Sequence, residues 1–551
     1  MSTNATEFAN ANSKLCVFRT AILAGFLLVV PGCKIPALCR ATAGAMLPDR
    51  FKGADNMNSR QDEFISLENS AQVGYREFFD DPTLTSLMDE ALSGNQELKI
   101  LAEDIRIANL DVMRRSGAYL PFVNLGALVG LDKNSRFSPT GAVEDQLTAA
   151  PGRGFPDPLP RFMVAANVSW EIDIWKKLRN SRDAASLRYL GTQEGRNYVV
   201  TRMVADVAEN YYELLAADNR LMTLDTTISL QEKSLDTATK LMAAGRSNLL
   251  PVQRFEAEVR KNQSQKQIIQ QQIVEAENRI NFIAGRFPQR IDRAIVEYID
   301  LNLHALSAGV PSQQLQNRPD IRQAERELAA VGLDVKVART RFYPSLILTG
   351  GVGMDAFNTR YLFATPGSLI YGMAAELVGP IINRKAIKAD YLTANAEQLQ
   401  AVYNYQRTIL NAHIEVVNHL AMVENYGKSI ETKKEQLIAL EGSVDSATKL
   451  NLNGQGEYLD VLLSQRDMME ARMVLIETKQ QQLTAVINAY QALGGGSYAG
   501  AFAAPREVNV VDTVAPVDVG DEADMGDEVN LGIEAVTGGE AGVNDEAEKN
   551  R

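Results

Sequence analysis

The sequence predicts an α+β membrane protein with an internal duplication, because it combines paired heptad helices with a few two-faced strands. In a first long segment, apolar residues recur at every seventh position from Val200 to Met242. A second segment repeats this pattern from Ile409 to Val444, at an offset of 209 residues. A sustained seven-residue apolar period is typical of supercoiled helices, and its recurrence along one chain indicates duplication.

Each copy is predicted to be an antiparallel helical hairpin. The long helices should run from about Asn180 to Ala244 and from about Arg384 to Leu452, which is roughly 95 to 105 Å at ~1.5 Å per residue. Glycine-containing turns follow them, and shorter helices should return to about Arg286 and Leu493. Two such hairpins in one chain are more typical of walls than of a globular core.

Outside the hairpins the apolar period changes from seven to two, which predicts four strands. Apolar and polar or small residues alternate along each of them, and each strand has the length that crosses a membrane when tilted, about 9 to 11 residues. Long loops rich in proline and glycine, 132–160 and 355–367, should join the strands of each pair. The predicted strands are Phe122–Leu131, Arg161–Glu171, Ser345–Met354 and Ser368–Leu377.

The strands fit a transmembrane barrel, and alternation alone also fits a soluble sandwich with an apolar inner face. Four strands cannot close a barrel, and open strand edges are not tolerated in lipid. Closure therefore requires other subunits, with eight strands from two chains or twelve from three. Eight strands leave little interior space, so a conduit favours three or more chains.

The N-terminus has the pattern of an export signal. Lys14 and Arg19 precede the apolar run Ala21–Val30, which is too short to span a membrane. The run ends before Cys33 in a segment similar to a bacterial lipoprotein box, which predicts lipidation of Cys33 after cleavage. The alternative is an ordinary signal that is cleaved further along, near residues 41–43.

The acidic balance of the chain comes from its end. The formal net charge is -13, and residues 507–551 hold thirteen Asp and Glu against two basic residues. This segment is rich in glycine and has no aromatic residue after Phe502, so it should be a disordered tail. It is either a solvated tail or a segment with a docking or cation-buffering role.

Catalytic and metal-binding patterns find little support, so the chain is not predicted to be an enzyme and no cofactor or metal is expected. His413 and His419 are six residues apart, which is not the four-residue spacing of a helical metal pair. Gly350–Gly353 lacks the full nucleotide-loop pattern and precedes a loop. Small residues of a barrel strand explain this segment better.

Four motifs make the chain resemble the TolC-like outer-membrane efflux proteins, in particular the lipidated OprM/NodT-type branch. The resemblance covers about residues 75–495 and is most specific at Arg-Pro-Asp-Ile-Arg, residues 318–322. The motifs are Phe79–Leu84, Asn317–Glu325, Tyr343–Ser345 and Trp170–Trp175. The resemblance implies a homotrimer in which twelve strands form one outer-membrane barrel that a periplasmic α-helical barrel continues.

The same resemblance implies a function and partners. The chain would be the outer-membrane channel of a tripartite efflux system, taking solutes from a periplasmic adaptor and an inner-membrane pump of the RND type. It would be lipid-anchored in the bacterial outer membrane and project into the periplasm, with no nucleic-acid partner. The predicted organisation is a signal peptide (1–32), an extended lipid-anchored segment (33–74), a first repeat (75–290), a connector in the equatorial belt (291–316), a second repeat (317–496) and an acidic tail (497–551).

The resemblance places the periplasmic aperture at the tip of the second hairpin, at Leu459, Asp460 and Leu463. A threefold ring of Asp460 would favour cations at the mouth, whereas the alternative is a carboxylate that only stabilises a helix N-terminus. Asn451 and Gly456 occupy the positions of the tyrosine and arginine latch of the family. A different latch is therefore implied.

Tip residues on the outer side of the mouth would contact the adaptor. The candidates are Arg246 and Leu249 of the first tip and Gly454 and Gln455 of the second, and the alternative is that the first tip is only a turn. Pro251 stands in the first repeat where Asp460 stands in the second. Other functional classes stay open: a type I protein secretion channel, or a non-conducting periplasmic adaptor or structural coiled coil.

Overall fold

The computed structural model describes residues 35–44, 46–48, 51, 70–150, 153–293, 298–303, 306, 311–380 and 384–495. The predicted export signal, the lipidation of Cys33 and the acidic tail lie outside these residues. The helices are α1 Tyr75–Phe79, α2 Pro82–Gly94, α3 Gln96–Gly117, α4 Pro139–Gln146, α5 Lys177–Ala243, α6 Leu249–Ile283, α7 Pro311–Asn317, α8 Pro319–Thr340, α9 Thr359–Leu362, α10 Lys385–Leu452 and α11 Tyr458–Leu493. The strands are β1 Phe122–Asp132, β2 Thr148–Ala150, β3 Arg153–Gly154, β4 Leu159–Ile172, β5 Ser345–Ala356 and β6 Leu369–Val378.

The four predicted strands are confirmed as β1, β4, β5 and β6, and they form one antiparallel sheet in the order β1-β4-β5-β6. The register aligns their apolar positions across the sheet: Leu125 lies opposite Ala166, Ala166 opposite Val352, and Val352 opposite Tyr371. Because side chains alternate along a strand, these residues share one face. Leu125 is 80% exposed there, so the chain leaves this apolar face uncovered.

The opposite face of the sheet is small and polar. Asn124, Asn167, Gly351 and Gly372 lie in one row across the four strands. A carbon added at Gly351 would lie 2.6 Å from the Asn167 side chain, so a larger residue there would displace that side chain. One apolar face and one polar face are typical of a sheet that separates lipid from water.

Each strand of the sheet continues into a helix, and the helices keep the order of the strands. The helix α3 leads into β1 and α8 leads into β5, while β4 leads into α5 and β6 into α10. Below the sheet the neighbours are α3-α5-α8-α10, and further down they are α6-α5-α11-α10. The described chain is therefore one continuous layer in which α6 continues the line of α3 and α11 continues the line of α8.

The heptad seams are buried as their period predicts. Val207 and Leu214 of α5 are fully buried, and Val416 and Ile430 of α10 are buried as well. The long helices begin and end within about three residues of their predicted limits. The return helix α6 ends at Ile283, a few residues before the predicted Arg286, because Gly285 adopts the left-handed conformation that ends a helix.

The two predicted loops contain short elements of secondary structure. The first holds α4 and the hairpin of β2 and β3, and the second holds α9. Ser138 caps α4 by accepting a hydrogen bond from the Gly141 amide at 3.2 Å, and Pro139 stands at the first helical position. Asn358 caps α9 in the same way. These short helices depend on capping residues, which a search for long apolar periods passes over.

The short helices α1 and α2 pack against the long helices α5 and α11. Phe78 of α1 stacks on Tyr490 of α11 at 4.0 Å between ring centroids, and Leu84 and Met88 of α2 are fully buried beside Tyr211 of α5. This cluster is the largest core in the described residues. No helix in the described part of the chain is long and apolar enough to cross a membrane.

Candidate functional site

The two hairpin tips turn with the same backbone geometry. Gly245 and Gly454 both adopt φ near +70°, and their amides donate to the carbonyls of Met242 and Asn451 at 3.0 and 3.1 Å. A second hydrogen bond closes each turn, and the pair of bonds forms the motif that ends helices at a left-handed glycine. A side chain at either glycine would meet open space, so φ alone requires glycine at these two positions.

The tips differ at the start of the return helices. Asn248 caps α6 by accepting from the Leu250 amide at 3.2 Å, whereas Glu457 precedes α11 without a side-chain cap. Pro251 is buried near the start of α6, while Asp460 at the matching position of α11 is exposed. The two tips therefore share a backbone geometry and differ in their exposed chemistry.

The second tip packs on the first hairpin. Leu462 is buried in a cluster with Ala238 and Phe255, and Tyr458 packs against the same cluster. Tyr458 and Leu462 lie four residues apart on one face of α11, which fixes the orientation of the helix start. The first hairpin therefore serves as the support for this tip.

The three residues predicted for the aperture lie together on another face of α11. Asp460 and Leu463 are exposed and three residues apart, so they are neighbours on the helix surface, and Leu459 is half-buried next to them. Asp460 lies in the first turn of α11, where a carboxylate also interacts favourably with the helix dipole. The geometry allows both interpretations of Asp460.

The four predicted adaptor-contact residues are all exposed in the described chain. Arg246 and Leu249 lie at the first tip, and Gly454 and Gln455 lie at the second. Gly456 is half-buried, and a carbon added to it would lie 3.0 Å from the Leu450 side chain. The position at which the family resemblance implies an arginine is thus part of a tight turn that favours glycine.

Close contacts between distant parts of the chain lie at the two junctions where helices meet end to end. We call the meeting of α2 and α3 with α6 the first junction. Asn95 donates its side-chain amide to the Ile283 carbonyl at 2.8 Å and accepts from the Glu97 amide at 2.7 Å. A carbon added at Gly285 would lie 2.4 Å from the Gly94 carbonyl oxygen. A neutral side chain therefore holds this close contact.

The second junction joins α8 to α11 and is ionic. Arg318 is only 4% exposed, and its guanidinium donates to the Ala492 carbonyl at 3.0 Å. It also pairs with Asp320 at 2.8 Å and with Glu415 of α10 at 2.9 Å. The Arg-Pro-Asp-Ile-Arg motif thus has a structural role, since Arg318 joins α8, α10 and α11.

A polar cavity of about 330 Å³ adjoins Arg318 and is lined by further carboxylates. Burial raises the pKa of Asp206 and of Glu209, and Asn488 donates a hydrogen bond to Glu209 at 2.5 Å. Burial lowers the pKa of His419, which also lines the cavity. Within the described ranges, no group of three His, Cys, Asp or Glu side chains is placed to hold a metal ion.

His413 belongs to a packed surface. Its ring stacks on Phe51 at 5.2 Å between centroids with an interplanar angle of 16°. Phe51 in turn packs with Val416 and Leu493. The two histidines of α10 therefore have separate surroundings.

A sheet with one apolar face, continued strand by strand into long helices, defines the class of membrane-channel subunits with a helical extension. The family model described as outer membrane efflux protein matches residues 87–286 and again 310–495. These two matches together span most of the chain, and the chain belongs to the outer membrane efflux protein family. It is an outer-membrane channel component of an efflux system.

Three relatives are similar over most of their length. The cation efflux system protein CusC of Escherichia coli strain K12 is 26% identical over 472 residues, which cover 84% of this chain and 99% of that protein. The toluene efflux pump outer membrane protein TtgI of Pseudomonas putida is 28% identical over 431 residues, covering 76% and 87%. The probable outer membrane lipoprotein SilC of Salmonella typhimurium is 25% identical over 480 residues, covering 86% and 96%.

Solved structures share the fold. A crystal structure of CusC superposes with a TM-score of 0.72 at 24% identity, covering 83% of this chain and 99% of that one. The outer-membrane channel OprN gives a TM-score of 0.71 at 22% identity, covering 85% and 99%. The architecture of a sheet continued by long helices is therefore that of known outer-membrane channels.

Proposed function

We propose that three copies of the chain close a twelve-stranded outer-membrane barrel and a helical barrel beneath it, as the conduit of a tripartite efflux system. The observation that carries this proposal is the pair of matching open edges. In the described chain, β1 and β6 each pair on one side only, and α3 and α10 lie at the same two edges of the helical layer. Pairing of β1 with β6 of the next copy would close both layers together.

Exposed apolar side chains along both edges support this closure. Leu125 of β1 and Met373 of β6 are 80% and 91% exposed. Ile100 and Ile107 of α3 and Leu410 of α10 are exposed as well. Such residues on an isolated chain are typical of a surface that another subunit or lipid covers. Three copies are favoured over two because eight strands enclose little space.

The two matches to one family model support the internal duplication. Under this proposal the repeats extend over 75–290 and 317–496, with the connector 291–316 in the belt. The turn 244–248 joins α5 directly to α6, so the first hairpin has no room for the inserted β domain expected of a periplasmic adaptor. The tips of both hairpins would instead meet such an adaptor, through Arg246, Leu249, Gly454 and Gln455, and an inner-membrane RND pump would supply the solute.

Lipidation of Cys33 is part of the proposal and has support from the described N-terminal segment. The Cys39 amide donates to the Asn395 side chain at 2.9 Å, and Gln406 donates to the Thr42 carbonyl at 3.1 Å. The segment therefore runs along α10 from its sheet end downward, as expected of a chain that is anchored at the membrane ahead of residue 35. Mass spectrometry of the mature N-terminus should find a lipidated Cys33, and an unmodified N-terminus further along would contradict it.

Conductance measurements in planar bilayers test the channel. The wild-type protein should insert as a trimer and conduct, and Asp460→Asn should lower its preference for cations, because three carboxylates at the mouth would be removed. Asp236→Asn is the control, since Asp236 is exposed on the first hairpin and already paired with Lys240 at 2.6 Å. A stable oligomer that never conducts would contradict the channel, and unchanged selectivity in Asp460→Asn would contradict the ring.

A further inference from the structure

A short segment between the two halves crosses three helices, and we call this segment, residues 298–303, the strap. The Tyr298 hydroxyl donates to the Tyr212 carbonyl of α5 at 3.3 Å, and Ile299 packs against the cluster of Ile430 and Leu475. Asp300 pairs with Lys434 of α10 at 2.9 Å. The strap is thus attached to α5 of the first hairpin and to α10 and α11 of the second.

A buried lysine lies beneath the strap. Lys479 of α11 is only 3% exposed. Its ammonium donates to Asn302 of the strap at a long 3.4 Å and to Gln482 at 3.1 Å. Both acceptors are neutral amides, and within the described chain no carboxylate lies within 4.0 Å of the ammonium. A buried ammonium without a paired anion is unfavourable.

The charges that face Lys479 do not compensate its burial. Lys434 of α10 repels the ammonium, while Asp300 of the strap and Glu431 of α10 attract it from a distance. On the side of α5, Arg220 is bound to Gln480 at 2.6 Å. Burial, followed by repulsion from Lys434, lowers the pKa of Lys479 to about 8. The charged form therefore opposes closure of the strap near neutral pH.

We infer that Lys479 is a positioning residue that makes the strap releasable, so that the strap is held on the two hairpins weakly when Lys479 is charged and firmly when it is neutral. The direction follows from the sign of the shift. Because the pKa is lower in the closed strap than in an open one, the closed strap gains stability as the pH rises from about 8 toward the ordinary value of a lysine. This inference goes beyond conduction, and its test does not depend on it.

Hydrogen exchange of the strap amides in the intact oligomer, in detergent, tests the inference. Lys479→Met removes the charge and should slow exchange of residues 298–303 at about pH 7, because the strap closes without burying an ammonium. The wild-type to Met-variant rate ratio cancels the intrinsic effect of pH on exchange. Between about pH 7 and pH 9 this ratio should fall about tenfold, since part of the lowered pKa is titrated there.

Three further variants keep the test decisive. Lys479→Arg stays charged at both pH values, so its strap should exchange fast with no fall in the ratio. Lys479→Gln keeps a hydrogen-bonding group without charge and replaces the Met variant if that variant does not assemble. Lys233→Met, on the exposed surface of α5, should leave strap exchange unchanged. A pH-independent ratio, or faster strap exchange in the uncharged variants, would overturn the inference, while conduction by any of them leaves the channel proposal intact.

Discussion

The two helix junctions meet the same backbone requirement with different chemistry. At the first, the neutral amide of Asn95 bridges to the Ile283 carbonyl. At the second, the buried guanidinium of Arg318 bridges to the Ala492 carbonyl and is flanked by two carboxylates. Left-handed glycines, Gly285 and Gly494, stand at corresponding places. Close approach of two chain segments favours glycine at both junctions, whereas the bridging group differs between them.

The difference has consequences for stability. Removing an amide that bridges two backbone groups costs only the free energy of its hydrogen bonds. A buried guanidinium cannot be removed without leaving its carboxylates unpaired. The second junction should therefore be the more sensitive of the two, and the following substitutions test this contrast.

Arg318→Met should have the largest effect. It takes the guanidinium away from Asp320, Glu415 and the Ala492 carbonyl, and loss of one partner of a buried ion pair costs about 3 to 5 kcal/mol. The midpoint of thermal loss of the helical circular dichroism signal should fall strongly. Arg341→Met is the control, because the pair of Arg341 and Asp390 is exposed and contributes less than about 1 kcal/mol. Equal losses in the two variants would contradict the ionic junction.

Gly285→Ala should come next. Its left-handed φ costs a side chain about 1 to 2 kcal/mol, and the added carbon would lie 2.4 Å from the Gly94 carbonyl oxygen, which adds about 1 to 3 kcal/mol of overpacking. Gly245→Ala is the matched control, since Gly245 has nearly the same φ and open space around it. Gly285→Ala should have the lower thermal midpoint of the two variants, because only that variant is overpacked. Identical midpoints would show that the close approach at the first junction has no energetic weight.

Asn95→Ala should destabilise by about 1 to 2 kcal/mol, because it removes a helix cap and the bond to the Ile283 carbonyl. Asn248→Ala removes only a cap, at the first tip, and should lose about 1 kcal/mol. Hydrogen exchange at residues 96–99 would locate the change at the first junction. An Asn95 variant more damaging than Arg318→Met would reverse the ranking of the junctions.

Glu209→Gln should have the smallest effect and the opposite sign. Burial raises the pKa of Glu209, so its contribution to stability is present below its ordinary pKa and is lost as the pH rises through the raised value. At pH 7 the glutamine variant should be more stable by less than about 1 kcal/mol, with the Asn488 bond retained, and the two proteins should converge toward acid pH. Thermal midpoints at pH 7 and pH 5 measure this. Glu213→Gln is the control, because Glu213 forms an exposed ion pair with Arg279, and it should not raise stability. A Glu209→Gln variant less stable than the wild type at pH 7 would contradict the predicted direction.

Local sequence patterns predicted the helices and strands of the layer. The roles of Arg318 and Lys479 depend on contacts between distant parts of the chain. The seam of Val207 and Leu214 and the alternation of Leu125 depend only on near neighbours along the chain. Arg318 was recognised as part of a motif, but its role depends on Ala492, 174 residues away. Lys479 lies in a helix whose period gives no sign that a connector covers it. Contacts between distant segments leave no period in a single sequence, so such sites are found only in three dimensions.

The open edges of the sheet differ from each other, because one belongs to β1 and the other to β6. Under the proposed assembly, pairing is head to tail and closes only as a ring in which each chain contributes both kinds of edge. A chain with one blocked edge would still be incorporated through its intact edge. In a cell that makes both wild-type and edge-blocked chains, most rings would then contain a defective member, and the mutant allele would be dominant.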